Sequence, residues 1–283
     1  MAEESGKESY GRRVPAVDQS VQLLFALANL VGGEATLTEL ARETGISRSK
    51  ALALLNTLRF VGLVARNDQT KRYRLGLNIL VLSRALINQT DLASEAIPYL
   101  EQLAAETGCV VHLGVISGDT VYVMARRQAP GSLNTPYDVG TRYPVTFGAH
   151  GRAILASLSP EDFETQLAND SILQPGQTGR DAIDRELLRA QVEDARRLGY
   201  GLSIGTTWTE MNAVSVVLAV DSSDTPGKQH AVACVFTVGR FSVERAHEIG
   251  ERMREMASEM SRMLDPLLRA TSVYVPHGHP STL

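Results

Sequence analysis

Paired cysteines, long apolar runs and aromatic-rich strands are all missing from this 283-residue sequence. Its two cysteines, Cys109 and Cys234, lie far apart in apolar, strand-like runs, and neither belongs to a CxxC pair. That argues against a disulfide framework and a structural zinc site, and it fits a reducing cytoplasm. No stretch approaches the roughly 20 apolar residues of a bilayer-spanning helix. The opening residues MAEESGKESYGRRVPAVD are polar and mixed in charge, which argues against a secretory signal or a membrane anchor. Aromatic residues make up only 5% of the chain, too few for a platform that stacks the bases of single-stranded RNA. Catalytic signatures are scarce as well: there is no phosphate-binding G-x-x-x-x-G-K-[ST] and no zinc-binding H-E-x-x-H. Cys109 with His112, or Cys234 with His150, can be imagined as nucleophile and base, but no third group is evident to orient either pair. No nucleophile elbow, metal or cofactor is expected, and the chain is read as a non-enzyme.

What is present begins with an uneven charge. The net charge is −4, yet residues 1–90 hold 12 Lys+Arg against 8 Asp+Glu while the remainder holds 16 against 24. A basic head on an acidic body suits a protein that docks one end on phosphates and keeps the other away from them. Residues 1–15, with Arg12 and Arg13, read as a flexible arm. Apolar residues at helical spacing over 20–31 predict a first helix that ends at Gly32-Gly33. A shorter helix follows over Leu37–Thr44, with Thr36 or Thr38 as its N-cap. Gly45-Ile46-Ser47 interrupts, and a third helix runs over about 48–60 with Leu52, Leu55 and Leu58 as its inner stripe. Residues 62–66 and 72–75 read as two short strands joined by a polar turn.

A short helix, a glycine turn and a second helix are the parts of a helix-turn-helix, whose second helix enters a major groove. Ser47, Arg48, Ser49 and Lys50 fall at the start of that helix, where free N–H groups and the helix dipole also favour phosphate. Arg66, Lys71, Arg72 and Arg74 sit on the hairpin, a wing that can lie along the sugar-phosphate backbone. Double-stranded DNA is therefore the expected partner.

Beyond the hairpin, residues 77–88 are apolar over too wide a face for a free linker, so this helix is expected to pack against its equivalent in a second copy. A helix over Leu92–Thr107, strands over 110–116 and 120–125, helices over 148–158 and 184–198, strands over 212–220 and 231–238, and a long amphipathic helix over 243–268 complete an α+β body. The division expected is an arm (1–15), a winged helix-turn-helix (16–76), a linker helix (77–92), a sensing domain (93–268) and a disordered tail (269–283) that holds His277 and His279. Gly148 and Ala149 leave backbone N–H groups uncovered at a helix start, a ready seat for a carboxylate.

Several of these segments together resemble the IclR family of bacterial regulators. The resemblance is carried by residues 16–27, by 37–49, by Arg72-Tyr-Arg-Leu-Gly-Leu77, by 100–108, by Val139-Gly-Thr-Arg-Tyr-Pro144 and by Gly199-Tyr-Gly201, and it spans about 14–265. It implies a GAF-like antiparallel-sheet effector domain, a linker helix, and homodimers that can pair into tetramers on a palindromic operator. It also implies an effector pocket at Phe147, Gly148, Ala149 and His150, with Ser203, Ala213, Phe236 and Val238 facing them and Trp208 nearby in sequence. This chain departs from the family pattern at several points. Ala53 replaces an arginine common in the recognition helix, Ser203 an acidic residue, Ala213 a cysteine, and Phe236 and Val238 serines. His150 stands where an aliphatic or small residue is usual, and Arg152 where lysine is usual. Apolar bulk in place of small hydroxyls points to a larger effector, an aromatic acid or a close derivative. Phe236 can equally be core, Trp208 a subunit contact and His112 a hydrogen-bonded core histidine. The expected function is a ligand-responsive repressor of a catabolic operon; the alternative is a sensor that acts through a protein partner without binding DNA.

Overall fold

The structure, a computed structural model, describes residues 14–30, 32–88, 92–117, 120–132, 135, 137–168, 184–208, 211–218 and 233–270. Arg12, Arg13, His277 and His279 lie outside the described residues. What is described divides into two compact units, the elements up to Asn88 and those from Leu92 on. Among the described residues no helix is long and apolar enough to cross a membrane.

The first unit comprises α1 (Pro15–Asn29), α2 (Leu37–Thr44), α3 (Arg48–Phe60), the antiparallel hairpin β1 (Val64–Arg66) and β2 (Tyr73–Leu75), and α4 (Asn78–Asn88). Pro15 opens α1, where its missing N–H leaves nothing unsatisfied. Thr36 caps α2 through a capping box: Glu39 N–H donates to Thr36 Oγ1 at 3.3 Å, and Thr36 N–H donates to Glu39 Oε2 at 2.7 Å. Gly45 ends the helix in the left-handed conformation, φ 68°, which turns the chain into α3. The core joins Leu23 and Leu27 to Leu40, Ile46, Ala51, Leu55, Leu58, Val64 and Tyr73. The stripe on α3 is thus Ala51–Leu55–Leu58. Leu52, expected inside, is 40% exposed, because the buried line runs four and then three residues along the helix and leaves it at the edge of the outward face. On α4, Leu80, Val81 and Leu82 are exposed within this unit, as is Leu77 just before it.

The second unit runs α5 (Leu92–Thr107), β3 (Val110–Ser117), β4 (Thr120–Gln128), β5 (Arg142–Pro144), α6 (Gly148–Ser157), α7 (Pro160–Ala168), α8 (Arg185–Leu198), β6 (Gly201–Trp208), β7 (Met211–Leu218), β8 (Ala233–Gly239) and α9 (Val243–Ala270). Six strands form one antiparallel sheet in the order β5-β4-β3-β8-β7-β6. One face buries Val111, Leu113, Val214, Val216 and Val235 against α5 and α9. The other face, with Val121, Val123, Cys234, Phe236 and Val238, meets Ile154 of α6. Sequence patterning missed β5, α7 and β6. β5 has only three residues, α7 is short and begins at Pro160, and β6 is interrupted by Gly205 at φ 58° and by a register shift between Ile204 and Trp208.

α6 sits on β6 backbone to backbone. A Cβ at Gly201 would stand 2.2 Å from the Ala149 carbonyl oxygen and 2.6 Å from Ala153 N, and one at Gly151 would stand 2.3 Å from the backbone carbon of Thr146. Only glycine permits this approach, and it carries the first turn of α6 down onto the sheet. Gly201→Ala is expected to overpack this contact and lower stability by about 2 kcal/mol or more, read as a lower urea midpoint of the unfolding transition.

Candidate nucleic-acid interface and buried cavity

Ser47 occupies the N-cap of α3 without a side-chain cap bond, and Ser47, Arg48, Ser49 and Lys50 are all exposed. The helix start therefore presents its first-turn N–H groups beside two cationic side chains, the arrangement that attracts phosphate. Behind it the wing turns on Asn67, whose Oδ1 accepts from Gln69 N–H (2.9 Å) and Thr70 N–H (3.1 Å), and Lys71 follows at φ 60°. Lys71 and Arg74 are exposed. Arg72, expected to face DNA, is instead tied inward: its Nη1 donates to the Glu34 carbonyl at 3.2 Å and pairs with Glu39 Oε2 at 3.4 Å. It fastens the wing to the capped end of α2. Arg66 is half-buried, with its guanidinium 5.4 Å from the centre of the Tyr73 ring.

In the second unit the antiparallel register brings distant residues into rows. Ser203 pairs Ala213, which pairs Val238; in the next row Ser215 pairs Phe236, which pairs His112, which pairs Arg126. Over these rows lies the start of α6. Phe147, Gly148, Ala149 and His150 from the helix, and Ser203, Ala213, Phe236 and Val238 from the sheet, line one cavity. Tyr137 and Met211 complete the lining and escaped the sequence reading, Tyr137 because its segment has no periodicity and Met211 because it precedes the predicted start of its strand. Trp208 ends β6, and its side chain lies outside what is described. The free space is about 20 Å³, room for one or two waters.

Rings crowd this space. His112 stacks on Phe236 at 4.6 Å, His150 lies 5.3 Å from the same ring, and Tyr143 stacks on Phe147 at 5.5 Å. The His112 Nε2–H donates to the Tyr137 carbonyl at 2.8 Å, which makes it the hydrogen-bonded core histidine that its apolar strand allowed for. His150, 4% exposed, hydrogen-bonds to the Pro144 backbone, while its Nε2 has no partner. Both histidines are neutral. Burial is the main cause, lowering His112 to about 4 and His150 to about 3; the Arg126 charge adds to the first, and the Arg152 charge to the second.

The first turn of α6 is itself buried, Gly148 through Gly151, and no side chain caps it. Arg152 braces it from beneath, donating to the Gly148 carbonyl (2.8 Å), the Thr146 carbonyl (3.3 Å) and Gln191 Oε1 (3.0 Å). Burial brings its guanidinium down to about 10, so it stays charged at neutral pH. The helix N-terminus, with the Arg152 charge behind it, makes the α6 side of the cavity positive.

Neither cysteine is activated as a nucleophile. Burial raises the Cys109 thiol and pushes that of Cys234 up to about 12, the reverse of activation. Gly201-Leu-Ser-Ile-Gly205 spells G-x-S-x-G, contrary to the expectation that no such elbow occurs. It lies in the edge strand β6 rather than in a strand–turn–helix elbow, and the unpartnered His150 Nε2 makes no bond to Ser203. Among the described residues no group of three or more His, Cys, Asp or Glu could hold a metal ion.

Two family models match the chain, the IclR helix-turn-helix domain over residues 16–68 and the bacterial transcriptional regulator IclR C-terminal domain over residues 84–262. The chain is 25% identical over 262 residues to the glycerol operon regulatory protein of Streptomyces griseus, covering 89% of this chain and 97% of that one. It is 21% identical over 249 residues to the transcriptional repressor AllR of Salmonella typhimurium, covering 88% and 89%. Its fold matches the crystal structure of an IclR homolog complexed with 4-hydroxybenzoate from Microbacterium hydrocarbonoxydans, with a TM-score of 0.69 at 20% identity over 88% of this chain and 99% of that one.

The buried histidines impose a pH dependence. Each titrates near 6.5 when unfolded and lower when folded, so below pH 6.5 the unfolded chain binds more protons and stability falls as pH falls, toward about 4 for His112 and about 3 for His150. The loss is up to about 1.4 kcal/mol per pH unit for each histidine. Urea unfolding at pH 7.5 and 4.5 is expected to show a pH-dependent loss smaller by about 2 kcal/mol in His150→Phe than in the parent.

Proposed function

We propose, for a chain that belongs to the IclR family of bacterial transcriptional regulators, that α3 reads an operator and that the cavity under α6 holds the effector that controls it. The observation that carries the first half is the exposed, uncapped start of α3 with Arg48 and Lys50 beside it. Ser47, Ser49 and the wing residues Lys71 and Arg74 add contacts to the backbone, while Arg72 is held by Glu34 and Glu39. The second half rests on the buried, uncapped start of α6. A carboxylate there would accept from the N–H groups of Gly148 and Ala149, with an apolar or aromatic body against Phe236, Tyr137, Met211 and Val238. About 20 Å³ does not admit a ring, so an aromatic acid enters only as Phe236 or Met211 gives way. That displacement supplies two arrangements for a ligand to choose between, which any effect on operator affinity requires. The bound 4-hydroxybenzoate of the similar fold supports an aromatic acid as effector. Relatives named as a glycerol operon regulator and as a repressor support repression of a catabolic operon, in the cytoplasm.

The exposed apolar face of α4, with Leu80, Val81 and Leu82, and Leu77 before it, supports a homodimer joined through this helix, the arrangement that spaces two reading heads on a palindrome. In light scattering, Leu80→Asp with Val81→Asp is expected to yield a smaller species than the parent. Against an operator selected from the chain's own upstream DNA, Arg48→Ala with Lys50→Ala is expected to lower affinity and to reduce the salt slope by roughly one for each phosphate no longer neutralised. Unchanged affinity and slope in a gel-shift titration would remove α3 from the interface.

A further inference from the structure

The buried line of α3, Ala51–Leu55–Leu58, fixes which side of the helix turns outward. At about 100° per residue, the middle of the outward side falls on Ser49, Ala53, Asn56 and Phe60, with Leu52 and Thr57 at its margins, and all six are exposed. Thr57 is turned back on the helix, its hydroxyl donating to the Ala53 carbonyl at 3.3 Å. The middle line is uncharged from end to end. Arg48 and Lys50 stand roughly 100° to either side of Ser49, toward the two phosphate chains that wall a major groove, and Arg59 is half-buried off the line. From Ser49 to Asn56 the helix rises about 10 Å, which matches about three base pairs at roughly 3.4 Å each.

We infer that the base pairs spanned by α3 are A·T pairs, with an adenine on the Asn56 amide and thymine methyls on Ala53 and Leu52. This rests on α3 being the helix that reads the operator, and it names what that helix reads. The chemistry of the base edges decides the matter. An amide side chain donates to adenine N7 and accepts from adenine N6–H. Guanine presents two acceptors there, O6 and N7, and sets one of them against the amide oxygen. The side chains that satisfy both acceptors of guanine are Arg and Lys, and the line holds neither. Alkyl groups suit the thymine methyl, whereas against cytosine they leave its amino group without an acceptor. Arg48 and Lys50 hold the duplex without choosing a sequence, since phosphates carry no sequence information.

The test starts from duplexes that the full-length protein recovers from a randomised library. They are expected to share a run of A·T pairs. Replacing a thymine of that run by deoxyuridine, which removes only the methyl, is expected to lower affinity about fourfold, the worth of one buried methyl group. Asn56→Ala, at an exposed position, is expected to lose at least about fivefold in discrimination of adenine from guanine at one position of the run, with the salt slope unchanged. An A·T preference that came from DNA bending alone would survive this substitution. A shared run of G·C pairs, indifference to the thymine methyl, or an Asn56→Ala variant that discriminates as the parent does would each overturn the inference. Binding that still weakens in Arg48→Ala with Lys50→Ala would then keep α3 as the reading helix. If the library yields no preferred duplex, or the Arg48 and Lys50 double variant binds it as the parent does, the inference falls together with the reading of α3.

Discussion

A helix begins with backbone N–H groups that no residue of the helix can satisfy. In water this costs little; inside a protein it must be answered. α6 starts inside, with Gly148, Ala149, His150 and Gly151 buried, no capping side chain, and a charged Arg152 against the carbonyls that frame the turn. Much of the second unit is arranged around that end. Gly201 allows the helix to descend onto β6, and Gly151 lets the Thr146 backbone close against its first turn. Antiparallel pairing lines up Ser203, Ala213 and Val238 beneath it, and burial strips both nearby histidines of charge. A positive pole set among neutral and apolar walls favours a compact anion over a neutral group of the same size.

The first unit uses the same element in the opposite environment. α3 also begins without a side-chain cap, but Ser47, Arg48, Ser49 and Lys50 stand in solvent. An exposed N-terminus with cations beside it suits a polyanion, whose many phosphates make up for the screening of each contact. Exposure separates the two helix starts: one is open to an extended surface, the other only to a small cavity. Arg72 marks the boundary between folding and recognition in this unit. It is a cation on the wing by sequence, yet its charge is taken up by Glu34 and Glu39, where it ties the hairpin to the capped start of α2.

Legibility in the sequence followed the range of the interactions involved. The helices of the first unit, their N-cap and their glycine turn are local features, and reading them needed only spacing and residue type. The exception, Leu52, shows the limit of spacing: a helix with leucines on adjoining faces does not declare which face turns inward until the neighbours Leu23, Leu40 and Tyr73 are in place. In the second unit the long elements were legible, whereas β5, β6 and α7 were not. Their patterns are short or broken: β5 has three residues, α7 begins at a proline, and β6 is interrupted at Gly205. Resemblance to a family located most of the cavity wall; Tyr137 and Met211 came only with the sheet.

Sequence by itself determined the order of the longer helices, the helix-turn-helix with its turn at Gly45, the helix start at Gly148, and the absence of disulfide pairing as a means of holding the fold, because each follows from neighbours within a few residues or from composition. Tertiary structure alone decided which cations remain exposed, that a cavity beneath α6 is nearly filled by rings, and that His150 is buried among them. Burial depends on atoms from strands distant in sequence, here the Phe236 ring of β8, and no local pattern encodes those.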